Sequence, residues 1–140
     1  QQQGGVVKGG HVVEDARVKR DLEISVNNAS LTDPRWGKVE RLLFGLLAKH
    51  FSLYQQRNPG LRLLRSPLSD EGFRMKKYRA APDFLHNYHL DSGDEGGGAR
   101  RVVAWLLYLN DVHQGGETVF LSQGLRVSPR CGRVLMFPTS

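Results

Sequence analysis

An imidazole and a carboxylate stand two residues apart in the run His89-Leu90-Asp91. Because side chains alternate along a strand with a period of two, both groups would point to the same face. One histidine and one carboxylate are two of the three ligands in the facial triad that holds Fe(II) and leaves positions open for substrate and oxygen. A bare His-x-Asp also occurs often by chance, as a surface histidine beside a turn. The pair alone therefore leaves both interpretations open.

Composition and charge limit the classes of protein to consider. The chain has 140 residues with 39% hydrophobic content, which predicts one globular domain over residues 1–140. No apolar run approaches the roughly 18 residues of a membrane span. The net charge of +6 points to an anionic partner, but the basic residues are scattered, so we do not expect nucleic acid. The single cysteine, Cys131, favours an intracellular compartment without establishing one.

One long helix is predicted over residues 33–57. Asp33 is a favourable N-cap and Pro34 a favourable first helical residue. Apolar residues then recur at the spacing of one helix face: Trp36, Val39, Leu42, Leu43, Leu46, Leu47 and Phe51. Such a helix needs a flat surface to cover, and we expect it to support a sheet formed by the rest of the chain.

Short strands are predicted from residue 73 to residue 137, because apolar stretches there alternate with separators that contain glycine or proline. Residues 102–109 are apolar on both faces, which predicts a central strand between a cavity and the helix. Gly115 and Gly116 are expected to form the turn into a strand. Residues 1–10 are polar and glycine-rich, and we expect a flexible lead-in there. One face of the predicted central strand would carry Val102, Ala104, Leu106 and Tyr108.

Longer motifs surround the His89 and Asp91 pair. In chain order they are Lys77-Tyr78, His89-Leu-Asp-Ser92, Val-Ala-Trp-Leu-Leu-Tyr-Leu-Asn-Asp-Val over residues 103–112, Gly-Gly-Glu-Thr-Val-Phe over residues 115–120, Val-Ser-Pro over residues 127–129, and Gly-Arg-Val-Leu-Met-Phe-Pro over residues 132–138. This order and spacing resemble the Fe(II)/2-oxoglutarate-dependent oxygenases, specifically their prolyl 4-hydroxylase-like branch. The resemblance implies a mainly β fold with a supporting helix, a double-stranded β-helix or jelly roll.

The resemblance also implies roles for individual residues. His89 and Asp91 would bind Fe(II). Tyr78 would line the 2-oxoglutarate pocket, Tyr108 would hydrogen-bond the distal carboxylate of 2-oxoglutarate, and Thr118 would occupy a further pocket position. Without the resemblance, ordinary core aromatics with satisfied hydroxyl groups would be the better interpretation of the two tyrosines.

Family members carry a second histidine ligand shortly after the Met-Phe-Pro strand, and a basic residue for 2-oxoglutarate about one strand later. None of the five histidines lies at that place, and the sequence reaches Ser140 there. We expect both residues beyond Ser140, so that residues 1–140 alone would form an incomplete site and an incomplete jelly roll. The alternative is a degenerate member that does not ligate iron.

The activity implied by the resemblance is hydroxylation coupled to oxidative decarboxylation of 2-oxoglutarate, with dioxygen as co-substrate and ascorbate (vitamin C) as supporting reductant. The expected substrate is a prolyl residue of a protein or peptide. Asp91 favours hydroxylation, because related halogenases carry a small residue in its place. Two alternatives remain open: a nucleic-acid demethylase of the same superfamily, supported mainly by the net charge, and a non-catalytic jelly-roll interaction module.

Overall fold

The structure is a computed structural model that describes residues 6–8, 11–13, 19–64, 68–79, 84–85 and 101–139. The chain divides into two compact units, Gln1–Asn87 and Tyr88–Ser140. The described part is mainly β-strand with supporting helices, and its strands form five two-stranded antiparallel sheets. No helix in these described ranges is both long and apolar enough to cross a bilayer.

Six short strands of the first unit pair two by two. They are β1 (Val6–Lys8) with β2 (His11–Val13), β3 (Lys19–Arg20) with β6 (Phe84–Leu85), and β4 (Leu22–Ser25) with β5 (Arg74–Lys77). Strand β1 corrects part of the expected flexible lead-in over residues 1–10. Strands β1 and β2 each contain two valines, whose β-branched side chains favour extended backbone. This preference outweighs the flexibility that the glycine-rich composition predicts.

Two helices follow β4 in the first unit. Helix α1 (Val26–Ser30) is capped by the Ser25 side chain, and helix α2 (Pro34–Arg57) begins where the sequence predicts. The Asp33 carboxylate accepts a hydrogen bond from the backbone N–H two residues later, at 3.0 Å. At the other end the chain leaves the helix at Asn58 and continues as a short 3-10 helix, Pro59–Leu63. The boundaries predicted from local capping signals are therefore confirmed.

The apolar face of α2 is only half-buried. Six of its seven predicted members are partly covered, whereas Leu42 is 63% exposed and corrects that prediction. The described elements of the first unit that pack on α2 are α1 and the short 3-10 helix. Because both are only five residues long, they cover only part of the apolar face of α2, and the edge of that face stays exposed to solvent.

The core of the first unit lies where α1, β5 and α2 meet. Val26 is completely buried and Phe73 is 6% exposed, and the Val26 N–H donates to the Phe73 carbonyl at 2.9 Å. The Asn27 side chain accepts from the Phe73 N–H at 2.6 Å and donates to the Glu40 carboxylate at 2.5 Å. Gly72, with φ of +83°, passes so close to Asn27 that a Cβ there would collide with the amide. The Asn27 side chain therefore links helix α1 to helix α2 and to the residue that precedes β5.

The second unit contains two antiparallel pairs. Strand β7 (Val103–Leu107) pairs with β10 (Val134–Pro138), and β8 (Thr118–Phe120) pairs with β9 (Leu125–Val127). Gly115 and Gly116 have φ values of +76° and +73°, which confirms the predicted turn ahead of β8. The strand predicted over residues 102–109 is found at Val103–Leu107, and the other three strands lie inside or within one residue of the predicted range 73–137. Within the described ranges β7 pairs along one edge only, so its predicted central position is not seen there.

Candidate functional site

Two of the residues predicted to line a cofactor pocket lie in contact. The Tyr108 hydroxyl and the Thr118 hydroxyl are 2.6 Å apart, and both side chains are half-buried. Tyr108 directly follows β7, and its backbone N–H donates to the Arg133 carbonyl at 3.0 Å while its own carbonyl accepts from the Gly132 N–H at 2.9 Å. Thr118 is the first residue of β8. The backbone of two strands therefore fixes a pair of hydroxyl groups.

An apolar wall adjoins this hydroxyl pair. In β7, Ala104 and Leu106 share the face of Tyr108 by alternation. The register with β10 places Phe137 opposite Ala104 and Leu135 opposite Leu106. The Phe137 ring meets the Phe120 ring edge-on, with centroids 5.0 Å apart and planes at 74°. Phe120 lies two residues after Thr118, on the same face of β8.

The chemistry of the pair suits a carboxylate. Two hydroxyl groups that bond each other share one hydrogen between them, and the second hydrogen remains available to a further acceptor. A carboxylate is acceptor-only when ionised, so it would accept that hydrogen, and the partly desolvated setting would strengthen the bond. The residues present therefore fit one carboxylate of 2-oxoglutarate.

Tyr78 lies in the first unit, directly after β5, and keeps 44% of its surface exposed. Desolvation raises the pKa of its hydroxyl well above the ordinary value of 10.0. The negative charges of Asp21 and Glu23 raise that pKa further. Asp21 itself is 3% exposed. Its proximity to Tyr78 depends on strand pairing, and no local sequence signal predicts it.

The predicted iron ligands His89 and Asp91 lie outside the described residues, as does His86. Within the described ranges, no group of three histidine, cysteine, aspartate or glutamate side chains is placed to hold a metal ion. His113 is exposed in the turn before Gly115. The assignment of the iron ligands therefore continues to rest on the motif.

A polar contact that the sequence did not predict holds the loop after Tyr108. The Asp111 carboxylate accepts from the Cys131 N–H at 2.7 Å, and the Cys131 thiol donates to the Leu109 carbonyl at 3.3 Å. The Val112 N–H donates to the Pro129 carbonyl at 3.3 Å. Asp111, the acid of the Tyr-Leu-Asn-Asp motif, thus has a structural use: it binds the loop to the turn that precedes β10.

The comparison with known families concerns the segment that contains Tyr108 and Thr118. Residues 73–140 match the sequence model of the family described as the 2OG-Fe(II) oxygenase superfamily. These residues are similar to that superfamily. This oxygenase segment, residues 73–140, contains β5, Tyr78 and every described strand of the second unit. The resemblance to Fe(II)/2-oxoglutarate-dependent oxygenases that the motifs predict is thereby confirmed for this segment.

Several prolyl 4-hydroxylases are similar to the chain. Probable prolyl 4-hydroxylase 3 of Arabidopsis thaliana is 33% identical over 88 residues, covering 48% of this chain and 31% of the relative. Probable prolyl 4-hydroxylase 9 of the same plant is 31% identical over 84 residues, covering 48% and 29%. Human prolyl 4-hydroxylase subunit alpha-1 is 23% identical over 150 residues, covering 94% and 28%. The chain therefore spans less than a third of the length of these relatives, and no solved structure matches it.

The hydroxyl pair of the oxygenase segment should be measurable as a coupling energy. Tyr108→Phe and Thr118→Val are each expected to lower the free energy of unfolding by about 1 kcal/mol, because each leaves a half-buried hydroxyl without its partner. In urea titrations the double variant should lose less than the sum of the single losses. Tyr54→Phe is the matched control, since the Tyr54 hydroxyl has no hydrogen bond within the described ranges. Strict additivity of the two losses would contradict the contact.

Proposed function

We propose that the protein is an Fe(II)- and 2-oxoglutarate-dependent dioxygenase that hydroxylates a prolyl residue of a protein or peptide. The observation that carries the proposal is the Tyr108 and Thr118 contact inside the oxygenase segment. The resemblance gives both residues to the 2-oxoglutarate pocket, and their donor set suits a carboxylate. The names of the similar prolyl 4-hydroxylases support a protein or peptide substrate.

His89 and Asp91 are the proposed protein ligands of the iron. Iron and 2-oxoglutarate, when bound, supply the oxidising chemistry, and dioxygen is the co-substrate. Tyr108 and Thr118 orient the co-substrate by hydrogen bonding, and the half-buried side chains of Leu135, Phe120 and Phe137 reduce its contact with water. Ascorbate is proposed as the supporting reductant, and a jelly roll as the complete fold.

Within this function the Tyr108 hydroxyl is expected to act on co-substrate binding. Tyr108→Phe removes a donor without changing the ring, and losing one hydrogen bond to a charged group should raise the KM for 2-oxoglutarate roughly tenfold. The decrease in kcat should be smaller than the increase in KM, since the hydrogen bond is made in both the ground state and the transition state.

Substrate class is decided by a direct comparison. The intact protein is supplied with Fe(II), 2-oxoglutarate, ascorbate and either a proline-containing peptide or a methylated oligonucleotide, and succinate is measured. We expect peptide-dependent succinate formation and hydroxyproline in the peptide. The net charge of +6 favours the demethylase alternative, and succinate formed only with the oligonucleotide would establish it instead. Succinate with neither substrate would favour the non-catalytic interaction module.

A further inference from the structure

The residue that directly precedes β10 is an arginine that lies opposite Tyr108. Strands β7 and β10 pair antiparallel with Leu107 opposite Val134. The pairing continues one residue further, because the Tyr108 N–H donates to the Arg133 carbonyl at 3.0 Å. Side chains alternate along a strand, and directly opposite residues share a face, so Arg133 lies on the face that carries Tyr108. The strand pair therefore places a cation next to the tyrosine of the hydroxyl pair.

The Arg133 side chain is also anchored close to the threonine of that pair. Its Nη1 atom donates a hydrogen bond to the Ser128 carbonyl at 2.6 Å. Ser128 directly follows β9, whose last residue, Val127, is paired with Thr118. The Thr118 hydroxyl lies 2.6 Å from the Tyr108 hydroxyl. The guanidinium and the two hydroxyl groups therefore lie at the same end of the two strand pairs of the second unit.

The Arg133 guanidinium keeps capacity for an anion. A guanidinium has five N–H donors, and the bond to the Ser128 carbonyl uses one of them. Among the residues that the structure describes, no carboxylate forms an ion pair with Arg133. Arg133 is half-buried, so solvent screens its charge less than it screens a charge at the surface. A partly desolvated cation of this kind favours an anionic ligand.

We propose that Arg133 joins Tyr108 and Thr118 in binding the distal carboxylate of 2-oxoglutarate. The hydroxyl pair offers one free hydrogen, and the guanidinium adds a positive charge and a planar fork of donors that matches two carboxylate oxygens. Family members carry their basic residue for 2-oxoglutarate about one strand after the Met-Phe-Pro strand, whereas Arg133 precedes that strand. The arrangement of the three side chains stands on the second unit alone, and the identity of the carboxylate rests on the proposed function.

Arg126 is a matched control on the opposite face of β9. Its partner across the β8–β9 pair is Val119, whereas Thr118 is paired with Val127. Alternation along the strand places Arg126 on the face that points away from the hydroxyl pair. Arg126 is exposed. Replacing it therefore removes the same charge from the protein without touching the proposed site.

The site is tested by calorimetric titration of 2-oxoglutarate into the intact protein with Fe(II) under nitrogen, where no turnover occurs without dioxygen. Arg133→Gln is expected to weaken binding about tenfold, because a charge-assisted contact with the carboxylate is lost. Arg133→Lys keeps the charge without the planar fork and should weaken binding about threefold. Arg126→Gln should stay within about twofold of the wild-type affinity. No binding by the wild-type protein, or equal losses in Arg133→Gln and Arg126→Gln, would overturn the site.

A double variant tests whether the two side chains bind one carboxylate. Tyr108→Phe combined with Arg133→Gln should weaken binding by less than the product of the two single losses. Losses that multiply exactly would overturn the shared site. Circular dichroism of the same samples checks that the fold is retained.

Turnover separates this inference from the proposed function. Peptide-dependent succinate formation together with an unchanged affinity for 2-oxoglutarate in Arg133→Gln would overturn the role of Arg133 and leave the proposed function intact. A protein that binds 2-oxoglutarate through Arg133 but never forms succinate would refute the proposed function and leave the carboxylate site intact.

Discussion

Replacing Asp91 with alanine is expected to reduce Fe(II)-dependent turnover of 2-oxoglutarate by at least about a hundredfold while leaving the fold unchanged. The reason is that a carboxylate ligand supplies both charge and geometry to the metal, and changes even at groups that only support such ligands cost 10- to 100-fold. His89→Ala should have an effect of the same size, because each residue is one of only two proposed ligands in the chain. Succinate formation, measured beside circular dichroism of the same samples, separates lost chemistry from lost structure.

His113→Ala is the matched control for the histidine variant. His113 is exposed, lies in a turn, and belongs to no proposed ligand set, so its removal should leave turnover within about twofold of the wild-type rate. If Asp91→Ala retains wild-type turnover, the ligand assignment is wrong. The same conclusion follows if added Fe(II) stimulates the His89→Ala and wild-type proteins equally.

Phe73→Ala is expected to produce the largest loss of stability in the described part of the chain, about 3 kcal/mol in the free energy of unfolding. Phe73 is 6% exposed, and its backbone bonds both Val26 and the Asn27 side chain. Truncation would leave a cavity at the point where three elements meet. Urea unfolding followed by tryptophan fluorescence measures the change.

Phe44→Ala removes the same atoms from a position that is 53% exposed on α2, and provides the matched control for Phe73. Its cost should stay below about 1 kcal/mol, because little apolar area leaves water at that site on folding. Equal losses from the two truncations would show that the junction around Phe73 is not the core of the first unit.

Local signals account for what the sequence predicts well. The α2 boundaries follow from Asp33 and Pro34, which act within one turn of the helix. The turn at Gly115 and Gly116 follows from a backbone conformation that glycine adopts without strain. The resemblance predicts that Tyr108 and Thr118 line one pocket but does not predict their direct contact, since spacing along the chain does not bring two strands together.

Contacts across long sequence separations account for what the sequence did not predict. Asn27 and Phe73 are 46 residues apart, and nothing near either one indicates their hydrogen bond. Asp21 has the sequence features of an ordinary surface acid, yet it is only 3% exposed beside strand β4. Helix α1 is five residues long, too short to show the period by which helices are recognised. Tertiary pairing decides each of these features.

The central claim is that the chain belongs to a working prolyl hydroxylase of the 2-oxoglutarate-dependent class. Its most direct measurement is the release of labelled carbon dioxide from 2-oxoglutarate labelled at C1, with the intact protein, Fe(II) and a proline-containing peptide. We predict one carbon dioxide for each hydroxyproline formed, and no release when Asp91 is replaced by alanine. Carbon dioxide release that is the same without the peptide and in the Asp91→Ala variant would contradict the proposed function.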